Sequence, residues 1–594
     1  MRTIRRYAKK GRIMGDIDVR AKLAHWKECV ADAELASELD NLSNADDAAV
    51  ADAFFQDLAF GTAGLRGIIG AGTNRMNIYT VARATQGLAD YLNAHFDDPS
   101  VAIARDSRHK GQLFVNTAAS VLAMNGIRSY IYPRVEPTPA LSFAVRDLGC
   151  SAGINMTASH NPAAYNGYKV YGADGCQITS EAAKEISDCI ARLGYFEEDG
   201  VCAKIADIRD MLDGGLVNWI GEDVLARFEN AVLEQSQEEP DDADAPLDIV
   251  YTPLCGTGLE CVQAVLAKIG VPYLNVVPGQ DVPDGDFPTC EYPNPEERAA
   301  LEKGIELCRK RAAAGRTPDL LLATDPDADR VGVAVPDGDD FALITGNEMG
   351  ILLMDFIARR KLERGESLDR SVAITTIVSS AMADEVAEAH GFELRRVLTG
   401  FKYIGEQIAM LEAAGEADRF MFGFEESYGY LAGTHVRDKD AVVASMLICQ
   451  MARYYRARGM SLVDAMRALY ERFGYCFNRT VSLTYPGADG AAKMADIMTR
   501  VRREAPAAIA GLPVERVIDY NAQASMPVVG GETSQILPCA NVVEFVLQGG
   551  CKLIVRPSGT EPKIKAYLFA KADCADQSAA LLDRLDTAAR ELLA

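Results

Sequence analysis

Three carboxylates stand at alternate positions in Thr324-Asp325-Pro326-Asp327-Ala328-Asp329-Arg330, directly after the apolar run Leu320-Leu321-Leu322-Ala323. That spacing can converge three hard oxygens on one divalent cation, and the carboxyl end of a strand is where α/β folds bind ligands. An EF-hand loop needs Gly at its sixth position and Glu at its twelfth, where this chain has Arg330 and Pro336, so calcium sensing is excluded and magnesium is the expected ion. A second loop, Thr157-Ala158-Ser159-His160-Asn161-Pro162, follows an apolar strand at 151–156 and precedes Asn166-Gly167-Tyr168-Lys169. Ser159 is a candidate nucleophile, although the Gly-x-Ser-x-Gly elbow of hydrolases is absent and a plain turn before Pro162 uses the same residue types. Arg556-Pro557-Ser558-Gly559-Thr560-Glu561-Pro562 joins a guanidinium, two hydroxyls and a glycine in a pattern suited to phosphate. In Gly423-Phe424-Glu425-Glu426-Ser427, paired carboxylates and a hydroxyl suit the hydroxyls of a sugar, or a helix cap.

Other patterns carry less. Gly61-Thr62-Ala63-Gly64-Leu65-Arg66-Gly67 lacks the βαβ setting of a dinucleotide fingerprint and is expected to be a glycine-rich loop presenting Arg66. No Gly-Lys dipeptide occurs, which excludes a Walker A loop, and the histidines are not spaced as a zinc site.

The elements that must position these loops follow from periodicity. Leu23, Trp26, Val30 and Leu35 predict a helical lead-in over 19–60. Apolar runs at 101–104, 151–156, 249–251, 320–323, 372–374 and 420–422 alternate with helical stretches and predict α/β units. Runs at 542–547, 552–555 and 564–569, with Gly549-Gly550 at a hairpin turn, predict a smaller C-terminal α+β domain. The acidic run 234–244 lacks apolar periodicity and is expected to be a solvated linker. The expected division is a helical extension at 1–45 and four domains at 46–240, 241–345, 346–475 and 476–594.

Composition bounds the partners. The chain has 594 residues, 48% of them hydrophobic, which is more than one core can use. A net charge of -24 repels nucleic acid, and no apolar run reaches the roughly 18 residues of a membrane span. Fourteen cysteines without a Cys-x-x-Cys pair read as free thiols of a cytoplasmic protein. Arg2, Arg5, Arg6, Lys9, Lys10 and Arg12 precede no apolar segment and are not read as a signal, and Met14 is a second possible start.

Taken in order, the loops at Ser159, Asp325, Glu425 and Arg556 resemble the four signature loops of the α-D-phosphohexomutase superfamily, and the length and the Gly61–Gly67 segment resemble its long phosphoglucomutase branch. The resemblance implies an α/β fold of four domains around a central cleft, three of related design. It implies a phosphorylated Ser159 that ligates Mg²⁺ together with Asp325, Asp327 and Asp329. It also implies transfer between the 1- and 6-positions of a hexose phosphate through glucose 1,6-bisphosphate, acting as intermediate and activator. Arg66, His160 and Lys169 would join Ser159 in catalysis; Arg330, Thr399, Glu425, Ser427, Lys439, Arg556, Ser558, Gly559 and Thr560 would contact substrate. His160, Lys169 and Lys439 are the candidates for proton transfer. Many relatives carry histidine where this chain has Cys255, so a histidine-dependent role there does not carry over. The expected partners are small-molecule sugar phosphates, with neither nucleic acid nor membrane, and the expected state is monomer or homodimer. Glucose leads as substrate, with mannose and pentose phosphates next; a metal-dependent sugar phosphatase and a non-catalytic sensor are the remoter readings.

Overall fold

The computed structural model describes residues 18–62, 64–196, 208–212, 214–239, 246–271, 273–485, 487–521, 537–558 and 563–594. The basic residues before Asp18, and Gly559 and Thr560, lie outside them. The chain forms two compact units, one of Met1–Val135, Gly149–Ala173 and Gln177–Ile220, the other of Glu136–Leu148, Asp174–Cys176 and Gly221–Ala594.

The first unit opens with helices Val19–Cys29, Ala33–Ser43 and Asp47–Phe54, each begun by an aspartate whose carboxylate accepts from first-turn N–H groups. They close around Trp26, which packs edge-on against Phe54, Tyr79, Tyr195 and Phe196. The sheet behind them comprises β1 (Leu65–Ile68), β2 (Ser100–Arg105), β3 (Arg128–Ile131), β4 (Ala152–Met156), β5 (Tyr165–Gly172) and β6 (Val217–Trp219), in the order β1-β5-β4-β2-β3-β6. Strands β2, β3, β4 and β6 run parallel, while β5 and β1 are antiparallel additions at one edge. Arg66 therefore lies on a strand, opposite Gly167, rather than on the loop expected for it. Gly64 makes this possible: at φ 71° a Cβ there would sit 1.8 Å from the Tyr168 carbonyl oxygen.

The second unit holds three sheets. Strands β7 (Ile249–Thr252), β8 (Asn275–Val276), β9 (Leu320–Thr324), β10 (Val331–Asp337) and β11 (Asp340–Ile344) order as β11-β10-β9-β7-β8. Strands β12 (Val372–Thr376), β13 (Glu393–Val397), β14 (Phe420–Glu425) and β15 (Gly429–Leu431) order as β13-β12-β14-β15. The last sheet is wholly antiparallel: β16 (Tyr475–Thr484), β17 (Ala508–Ile509), β18 (Leu512–Asp519), β19 (Val543–Leu547), β20 (Cys551–Pro557) and β21 (Lys563–Ala572), in the order β16-β21-β20-β19-β18-β17. Each of the first three sheets has a buried parallel strand that ends in a loop and returns antiparallel: β4 to β5, β9 to β10 and β14 to β15. The α/β class and the smaller α+β end thus hold.

The acidic segment departs from its expectation. The Gln237 N–H donates to Gln450, the Arg360 guanidinium donates to the Gln237 carbonyl, and Glu238 pairs with Arg453. Residues 234–239 are docked rather than solvated, because their polar groups find fixed partners; 240–245 lie outside the described residues.

Candidate functional site

The loop that carries Ser159 begins where β4, buried along its whole length, runs out. Ser159 sits at φ 52°, in the left-handed region that side chains other than glycine avoid. Its N–H donates to Thr157 Oγ1 at 2.8 Å, and its carbonyl accepts from Arg108 Nη2 at 2.6 Å. The hydroxyl lies 3.2 Å from His160 Nδ1. Lys169 is buried on β5, opposite Asn155.

The metal candidate is a hairpin loop between β9 and β10. Asp325 turns it by accepting from the N–H groups of Asp329 and Arg330 at 3.1 and 3.0 Å, and Ala328 takes φ 50°. Thr138 donates its N–H and its hydroxyl to Asp327, each at 2.8 Å. Thr257 N–H reaches the Pro326 carbonyl, and Gly256 lies so close beneath that a Cβ would meet Pro326 Cα at 2.4 Å. The segment containing Cys255 is thus the seat of this hairpin. Cys255 itself faces the Gly279 carbonyl, and burial pushes its thiol up to about 11, which rules out a base role at neutral pH.

Carboxylate oxygens of Asp325, Asp327 and Asp329 lie within 4.8 Å of one another, and all three residues are buried. Burial, then the charges of Asp327 and Asp329, push Asp325 well above the usual carboxylate range. Three buried, mutually repelling hard-oxygen donors fit a hard divalent cation. Two cationic side chains flank them. Lys439 Nζ lies 3.1 Å from Asp329 and 2.8 Å from Asp438; burial opposes its charge, but Asp329, Asp438 and Glu425 outweigh it and raise its pKa. Lys439 is thus a charge partner of these carboxylates. Arg330 pairs with Glu296 at 2.5 Å and bridges to Gly429, and the Val331 N–H donates to the Tyr428 carbonyl at 3.2 Å, tying the hairpin to the loop after β14.

In that loop Glu425 closes β14 and is buried, its charge acting on Arg330 and Lys439. Ser427 is half-buried in the turn, and Tyr428 takes φ 65°. Glu426 accepts from the Thr376 hydroxyl at 3.0 Å. Thr399 occupies the turn between β13 and the helix Phe401–Ala413. Arg556 is the penultimate residue of β20, and the Ser558 N–H donates to the Lys563 carbonyl at 2.7 Å.

Arg108, Thr138 and Glu296 were not readable as site residues. Each acts on a loop remote in sequence, and only Arg108, in a polar loop after the strand at 101–104, had a local signal.

Residues 57–195, 226–338 and 345–473 match the α/β/α domains I, II and III of Phosphoglucomutase/phosphomannomutase. The chain belongs to the phosphoglucomutase/phosphomannomutase family. A phosphoglucomutase of Staphylococcus epidermidis is 35% identical over 518 residues, covering 87% of this chain and 91% of its own. One of Staphylococcus aureus is 36% identical over 522 residues, covering 88% and 91%. The fold is shared with two crystal structures: the parafusin phosphoglucomutase of Paramecium in its open form (TM-score 0.64, 17% identity, 90% and 94% covered) and a family protein of Burkholderia thailandensis (0.63, 17%, 90% and 96%). No helix of the described residues is long and apolar enough to cross a membrane.

Proposed function

We propose that the chain interconverts α-D-glucose 1-phosphate and glucose 6-phosphate, with Ser159 as phosphoryl carrier and Asp325, Asp327 and Asp329 as the ligands of Mg²⁺. The observation that carries the reading is the convergence of three buried aspartates whose mutual repulsion a bound divalent cation would relieve. Bound Mg²⁺ would act as a Lewis acid on the transferring phosphoryl group. In the forward step the Ser159 Oγ–P bond breaks as a bond forms from phosphorus to the free sugar hydroxyl, whose proton leaves. The second step returns the other phosphoryl group to Ser159.

Phosphoryl transfer depends on alignment and charge more than on a strong base. His160, beside the Ser159 hydroxyl, Lys169 and Lys439, beside Asp329, are the proton-transfer candidates. Glu425 and Ser427 would accept sugar hydroxyls in either pose, Thr399 would contact the sugar, and Arg556, Ser558, Gly559 and Thr560 would hold the phosphate that does not react. Arg66 and Arg330 would supply further positive charge. The four sheets suggest four domains with bounds near those expected from sequence, and glucose 1,6-bisphosphate is the activator.

The test is formation of glucose 6-phosphate from glucose 1-phosphate with Mg²⁺ and a trace of glucose 1,6-bisphosphate, for the native protein and Ser159→Ala. Mannose and ribose 1-phosphates run alongside to rank the sugars. Turnover that falls by at least roughly 10⁴-fold in the variant is expected for loss of a covalent carrier. Release of inorganic phosphate without isomerisation overturns the mutase reading in favour of a phosphatase.

A further inference from the structure

Both peptide groups of Ser159 are held by side chains, and these side chains are linked. Arg108 is fully buried, pairs with Asp106 at 3.2 Å and gives its remaining donors to the carbonyls of Ser159, Asn161, Pro162 and Tyr165. The four acceptors lie in the loop from Ser159 and in the first residue of β5, Tyr165, so the guanidinium fork is spent on this one segment. Thr157 donates its hydroxyl hydrogen to Asp106 Oδ2 at 2.6 Å, which leaves an oxygen lone pair to accept from the Ser159 N–H at 2.8 Å. The direction of each bond is fixed: a carboxylate only accepts, a guanidinium only donates, and the hydroxyl between Asp106 and the peptide must do one of each. Asp106 is itself held, receiving the Arg108 N–H at 3.0 Å.

We propose that Arg108, Asp106 and Thr157 form a positioning relay that locks the left-handed backbone of Ser159 and so sets the direction of its hydroxyl for phosphoryl transfer. The inference rests on reading Ser159 as the phosphoryl carrier. None of the three residues touches the reacting atoms; they act through the peptide groups on either side of the nucleophile. Lysine does not replace the arginine, because an ammonium has three donors from one point and cannot span four carbonyls.

The experiment compares native protein, Thr157→Ser, Thr157→Val, Arg108→Lys and Arg108→Met. Three readouts are taken: phosphoryl loading of residue 159 by glucose 1,6-bisphosphate, followed by intact mass; kcat and KM for glucose 1-phosphate; and the thermal midpoint. Misalignment of a nucleophile costs roughly 100-fold in rate. Thr157→Val and Arg108→Met should therefore lose about that much in kcat and in loading rate with KM nearly unchanged, whereas Thr157→Ser, which keeps the hydroxyl, stays close to native. Arg108→Lys should fall between. If Arg108→Met does not fold, Thr157→Val carries the test, since it removes one hydroxyl from an otherwise intact core. A folded Thr157→Val with native kcat, or equal losses in Thr157→Ser and Thr157→Val, overturns the relay. Native protein that takes no phosphoryl group on Ser159 overturns the carrier reading, and the relay falls with it; native loading beside unaffected variants overturns the relay alone.

Discussion

The loop that carries Ser159 and the hairpin that carries the three aspartates start alike, each from a fully buried parallel strand and each with a left-handed residue other than glycine. They are held by opposite means. Around Ser159 a single buried guanidinium gathers four carbonyls, and the serine itself is neutral. Around the aspartates like charges are crowded together, with Lys439 and Arg330 beside them. A residue that must point in one direction is fixed by saturating its backbone. A cluster of buried like charges is instead suited to a divalent cation, whose charge would relieve their repulsion.

The strongest way to break this contrast is Asp327→Asn, which keeps the shape and removes one charge. We expect a fall in kcat of roughly 1,000-fold, since a metal's Lewis acidity is worth several kcal/mol, and a raised Mg²⁺ requirement in initial rates measured against Mg²⁺ concentration. Native activity at native Mg²⁺ would mean that charge does not organise the hairpin.

A smaller effect sharpens the same point at Glu426. Burial, then the neighbouring Glu425, push its carboxyl from 4.5 up to about 7. A raised carboxyl contributes its stability fully below its unfolded pKa and loses it as pH rises through the folded value. Glu426→Gln should therefore stabilise the protein by about 3 kcal/mol near pH 8 and by almost nothing near pH 4, read from denaturant midpoints at the two pH values. Equal shifts at both would show that the carboxyl is not strained by charge.

The smallest effect belongs to the nucleophile side. Lys110, at φ 62° just beyond Arg108, pairs with Glu34 at 2.5 Å, and the two side chains are 33% and 61% exposed. Lys110→Met should cost less than about 0.5 kcal/mol, as exposed pairs do, with kcat unchanged. A large loss of either would extend the locking of Ser159 outward to the surface.

How far the sequence could be read follows the same division. Strands β4, β9 and β14 were legible because they are buried on both faces and therefore largely apolar, Asn155 of β4 being the interior exception. The loops after them were legible because their polar residues cluster at strand ends. The antiparallel returns β5, β10 and β15 were not, since a hairpin is set by backbone pairing rather than by composition, and this is why Arg66 was placed on a loop. The docking of 234–239 was hidden because its partners Gln450, Arg360 and Arg453 lie more than a hundred residues away. Thr138 was invisible for the same reason, since Asp327 lies 189 residues on, whereas Glu296 meets Arg330 from 34 residues away through a contact that only the fold makes.

The packing of the amino-terminal helices gives the protein its own optical probe. Of the two tryptophans in the chain, Trp26 is 2% exposed inside a ring of aromatic side chains, while Trp219, at the end of the edge strand β6, is 50% exposed. Emission from Trp26 is set by an apolar surround and that from Trp219 by water, so replacing Trp219 by phenylalanine leaves a fluorophore that reports one event, the parting of the leading helices from the body they cover.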